Sequence, residues 1–68
     1  MFAHNKLKRF RQEKGLTQTE LMFELDRIGL RISRQSLINW ESGKSSPNSN
    51  RLSQIAKFFN KPEQLFFN

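Results

Sequence analysis

A chain of 68 residues with a net charge of +6 and a mean hydropathy of −0.74 makes one small domain, here taken as residues 1–68. A domain this short buries only about 60% of its unfolded surface, so its core must be compact and closely filled. Cysteine is absent, no apolar run nears the roughly 20 residues that span a bilayer, and the N-terminus carries no apolar signal segment, which excludes disulfides and thiolate metal sites and sets the expectation of a soluble protein with no membrane partner.

The first helix is expected from about Asn5 to Lys14, with Leu7 and Phe10 inward and Gly15 stopping it. Thr17 begins the second, and Glu20 three residues on makes a capping box. Leu21, Leu25 and Ile28 then repeat along one stripe until Gly29. Ser33 caps a third helix carrying Leu37 and Trp40, which Gly43 ends; glycine takes the left-handed conformation of a helix C-cap without steric cost. The fourth starts near Asn48, just after Pro47, and buries Leu52, Ile55, Ala56 and Phe59. A fifth, short turn follows Pro62 and holds Leu65 and Phe66. No alternating β-branched run reads as a strand, so the expected class is all-α, a compact five-helix bundle. Its second and third helices suggest a helix-turn-helix.

Charge is unevenly spread. Residues 1–26 hold five bases and four acids, whereas residues 27–68 hold seven bases against only Glu41 and Glu63. A one-signed field on part of a small domain favours a polyanionic partner, and a merely solvated basic surface is the competing reading.

The third helix presents an unusual outer face. At 100° per residue, Leu37 and Glu41 lie within about 40° of each other, with Trp40 about 60° to the other side, and these face inward. Gln35, Asn39 and Ser42 cluster opposite, with Ser36 at one edge and Arg34 in the first turn. Amides can pair with adenine edges and arginine with guanine. An ordinary surface helix more often mixes Glu and Lys. Around it lie groups suited to phosphate: Gln18 at the start of the second helix, Lys44, Ser45 and Ser46 in the following loop, and Asn48 to Arg51 at the start of the fourth.

The run LKRFRQEKGLTQTEL, followed by SRQSLINWESGKSSP, resembles the lambda repressor and Cro type of helix-turn-helix domain, the XRE-like family, from Leu7 to Phe66. The Gly-Leu-Thr-Gln from Gly15 and the Trp-Glu-Ser-Gly-Lys at 40–44, with Pro47 after it, carry the likeness. The resemblance implies double-stranded DNA as partner, a transcriptional regulator of repressor type, and operator binding as a symmetric homodimer. It implies base contacts from Arg34, Gln35, Ser36 and Asn39 and phosphate anchoring by Gln18 and Lys44. It further implies that Arg11 pairs with Glu41. That pair makes physical sense of the only acid between Arg27 and Pro62, since an inward carboxylate needs a cation.

Two departures stand out. The family passes from the position of Leu25 to that of Ser33 in about three residues, and here the step takes eight, read as one extra helical turn plus a longer connection. This puts Arg27 and Arg31 near the motif, where phosphate contact and plain solvation are equal readings. Met22 stands where the family commonly has alanine, at the close approach of the two helices.

Catalysis finds little to work with: His4 is the sole histidine, and no paired-carboxylate spacing or Gly-rich phosphate loop occurs. No metal, cofactor or small-molecule substrate is expected. The competing function is a protein-interaction module of antitoxin or bridging type, motivated by Phe23, Phe58 and Phe67 off the main stripes. The milder form is a homodimer contact through Leu65, Phe66 and Phe67. RNA is a weaker rival, because its sequence-specific readers use aromatic platforms. A DNA partner would place the protein in the cytoplasm, with the nucleoid.

Overall fold

The computed structural model describes all 68 residues. Four helices, α1 (His4–Glu13), α2 (Gln18–Arg27), α3 (Arg34–Ser42) and α4 (Ser49–Phe59), precede a single 3-10 turn at Glu63–Phe66. The expected fifth helix is thus only a turn. Phe67 beyond it is extended at φ −121° and ψ 150°, because the chain there leaves to pair with its own beginning.

That pairing is an isolated antiparallel bridge between Phe2 and Phe67. The Ala3 amide donates to the Phe66 carbonyl at 2.7 Å, and the Asn68 amide to the Met1 carbonyl at 2.9 Å. No helical or strand period in the sequence signals it.

Helix starts follow local chemistry. Thr17 accepts from the Glu20 amide at 3.1 Å while the Glu20 carboxylate accepts from the Thr17 amide at 2.8 Å, a complete capping box. Ser33 and Asn48 cap α3 and α4 in the same sense, accepting from Ser36 and Arg51. Each side chain satisfies an amide that the helix itself leaves without a partner.

Thirteen buried apolar residues make one core. Leu7 and Phe10 come from α1, Leu21 and Leu25 from α2, Leu37 and Trp40 from α3, and Leu52, Ile55, Ala56 and Phe59 from α4. Leu30 and Ile32 from the link between α2 and α3 and Phe66 from the 3-10 turn complete it, the Phe66 ring edge-on to Phe10 at 5.3 Å and tilted to Phe59 at 6.3 Å.

The link between α2 and α3 differs from expectation. Helix α2 runs only two residues past Leu25, not a full turn further, and Ile28 is 48% exposed instead of inward. Gly29, at φ 94°, reverses the chain, and the Leu30 amide reaches back to the Leu25 carbonyl at 2.9 Å. This Schellman closure brings the residue after the glycine, not the one before it, against the helix. Leu30 and then Ile32 therefore enter the core in place of Ile28. The longer connection carries its own apolar anchors, and the half-buried Met22 packs against the same core.

Candidate nucleic-acid interface

Three elements meet at Glu41. Its carboxylate accepts from Arg11 Nε at 2.7 Å and Nη2 at 3.0 Å, and both residues are more than nine-tenths buried. Arg11 Nη1 donates to the Leu16 carbonyl at 2.8 Å, tying α1 to the loop before α2. Gln18, the first residue of α2, donates Nε2 to Glu41 Oε1 at 3.1 Å. No buried side-chain nitrogen or oxygen in the chain lacks a partner. An ion pair with this geometry fixes register among its neighbours, because burying either charge alone is costly.

With Leu37, Trp40 and Glu41 buried on one side, the other side of α3 meets solvent. Arg34 and Gln35 are exposed, and Ser36 and Asn39 partly so. Gln35 Nε2 donates to Asn39 Oδ1 at 3.0 Å, linking the two amides one turn apart. This leaves Gln35 Oε1 as an acceptor and Asn39 Nδ2 as a donor. The Ser36 hydroxyl meets that of Ser33 at 3.0 Å.

The electrostatics of the helix ends are distinctive. Neither α3 nor α4 has an acid in its first turn, yet each carries an arginine there, Arg34 and Arg51. A cation at the positive end of a helix dipole opposes the usual preference by about 0.3–1 kcal/mol. Arg34, Lys44 and Arg51 are all exposed and take part in none of the chain's ion pairs. Such placement leaves an unneutralised cation at each end of α3, Arg34 and Lys44, and a third in the first turn of α4.

The other candidates fall as follows. Ser45 and Ser46 are exposed with Lys44 in the loop after α3. Asn48 is exposed but spends its Oδ1 on the Arg51 amide, leaving its Nδ2 donor. Gln18 is partly buried, with one amide proton given to Glu41. Arg31 pairs with Asp26 at 3.1 Å and Arg27 with Glu24 at 3.4 Å, so the longer connection is locally close to neutral. Both pairs are exposed, and such pairs hold by about 0–1 kcal/mol.

The expected dimer segment loses its middle residue to the core. Phe66 is fully buried in the monomer's own core, whereas Leu65 and Phe67 are each 41% exposed. Of the remaining off-stripe aromatics, Phe23 is 59% exposed, and Phe58 lies edge-on to Phe59 at 5.1 Å with Lys14 Nζ 5.2 Å from its ring.

Sequence reasoning missed Lys8 and Ile38, which line a shallow cleft with Gln18, Glu41 and Ser42. Lys8 precedes Arg11 by three residues, so helical spacing could have put it on the same side of α1. No group of His, Cys, Asp and Glu in the structure is arranged to hold a metal, and no helix is long and apolar enough to cross a membrane.

A family model described as helix-turn-helix matches residues 7–66. The HTH-type transcriptional activator BcrR of Enterococcus faecalis is 41% identical over 59 residues, which is 87% of this chain and 26% of that protein. The chain therefore spans about a quarter of that relative's length. No solved structure matches the chain.

Proposed function

The chain belongs to the helix-turn-helix family of Cro/C1 (XRE) type, and from that premise we propose that it is a sequence-specific double-stranded DNA-binding transcriptional regulator that reads the major groove with α3. The supporting observation is the polarity of that helix: Glu41 is held inward by Arg11, and the two linked amides of Gln35 and Asn39 are left outward. Adenine offers an N7 acceptor and an N6 donor in the major groove. The remaining donor of Asn39 and acceptor of Gln35 form the complementary set. Arg34 and Ser36 complete the base-reading group.

Backbone phosphates fall to Lys44, Ser45, Ser46, Asn48 and Arg51, and to Gln18 through its second amide proton and the free amides of the first turn of α2. Arg31 joins them when a phosphate displaces Asp26, an exchange made easy by the weakness of an exposed ion pair. Glu41 then acts twice, neutralising Arg11 and orienting Gln18.

Two copies are needed for a palindromic site. The half-sites lie about 34 Å apart, and the longest dimension of the Cα framework is 27 Å. Leu65 and Phe67 supply exposed apolar surface for that contact. The expectation of a repressor is not carried by any residue, and a relative named as an activator stands against reading repression from the domain alone. The sign of regulation follows from where the bound site lies relative to the promoter.

Selection of bound sequences from a random duplex library at near-physiological salt tests the proposal. It predicts a palindromic consensus whose half-sites contain adenine. Recovery of unenriched sequences would overturn it.

A further inference from the structure

His4 opens α1, nearly forty positions before the loop that follows α3, yet the fold sets the two side by side. The imidazole lies against Gly43: a β-carbon added to that glycine would stand 3.2 Å from His4 Nδ1 and 3.4 Å from Cε1. With φ at 85°, Gly43 is also the left-handed C-cap of α3. His4, Ser42, Gly43, Lys44, Ser45 and Ser46 line one open groove together with Met1 and Phe2. The groove contains a cation and three hydroxyls, and no carboxylate lines it. Neither His4 nor Lys44 has an ion-pair partner, and no hydrogen bond engages either side chain.

The geometry points to His4 as a DNA phosphate ligand, the fourth polar wall of a cradle formed with Lys44, Ser45 and Ser46. This deepens the proposed DNA-binding reading and rests on it. A phosphate seated by Lys44 comes within reach of the imidazole edge across Gly43, where the missing β-carbon lets ring and backbone approach. Neutral imidazole can give the phosphate one N–H. Imidazolium gives it a charge-assisted bond, and histidine is the side chain whose charge changes between about pH 5 and 8. The other titratable groups near the groove are Lys44 in the loop, Lys8 one turn along α1, and the α-amino group of Met1. A variant at His4 separates its contribution from theirs.

The consequence is DNA binding that tightens as pH falls, independently of base sequence. The test measures affinity for a mixed-sequence duplex at pH 8 and pH 5.5, at equal ionic strength, for the parent, His4→Gln and His4→Lys. The parent should bind about fivefold more tightly at the lower pH, a single added contact charge near water, with a salt slope steeper by about one phosphate contact. His4→Gln should bind alike at both pH values, at the parent's pH 8 level, and His4→Lys should bind tightly at both. A parent indifferent to pH, or a His4→Gln variant that keeps the parent's pH response, would overturn the assignment of His4 while leaving DNA binding intact. Absence of duplex binding at either pH would instead overturn the DNA reading, and this one with it.

Discussion

Glu41 is the residue on which the most structure converges. It is the acid nearest the exposed polar face of α3, and a carboxylate there would repel a phosphate backbone if it turned outward. Arg11 holds it inward through two hydrogen bonds of 2.7 and 3.0 Å. Removing the cation strands a charge in a site where Glu41 is only 7% exposed. Arg11→Ala should therefore destabilise the fold by about 3–5 kcal/mol, read from the midpoint of urea unfolding. A midpoint matching the parent's would mean that water reaches the carboxylate. The pair was legible in the sequence through the family resemblance and through the isolation of one acid among bases. The contact from Gln18 was not legible, because spacing along the chain carries no information on which way a first-turn amide swings.

At the level of elements, the caps are where local chemistry decides most. The Thr17 and Glu20 exchange is complete, so Thr17→Ala should lower stability by about 1 kcal/mol in thermal unfolding, and an unchanged transition would contradict it. Helix existence and starts could be read from such caps and from apolar stripes. The end of α2 could not be read from the stripe, which continues through Ile28 as though the helix did. What breaks it is Gly29, whose left-handed conformation hands the core position to Leu30. The two residues make opposite forecasts. Leu30→Ala should cost about 2–5 kcal/mol, while Ile28→Ala should stay within about 0.5 kcal/mol. Equal effects in parallel unfolding experiments would contradict this account of the connection. Contacts between remote segments, such as Ala3 with Phe66 and His4 with Gly43, were equally invisible. They join distant segments that no helical period relates.

For the whole molecule, charge and size set the terms. Of the +6 net charge, the part left free of ion pairs includes Arg34 and Lys44 at the two ends of α3 and Arg51 at the start of α4. Affinity for any duplex should fall steeply as salt rises. The core claims Phe66, so in the proposed dimer the contact falls to the exposed Leu65 and Phe67. Sedimentation of a Phe67→Ser variant should show loss of a dimer that the parent forms, and a parent monomeric with duplex bound would exclude the paired arrangement. The central claim is that the amides of α3 read bases while the cations around it only hold the backbone. Its most direct test compares Asn39→Ala with the parent on two duplexes, a selected binding sequence and a mixed one. The account predicts a loss of about 1–3 kcal/mol on the selected duplex and almost none on the mixed one; equal losses on both would contradict it.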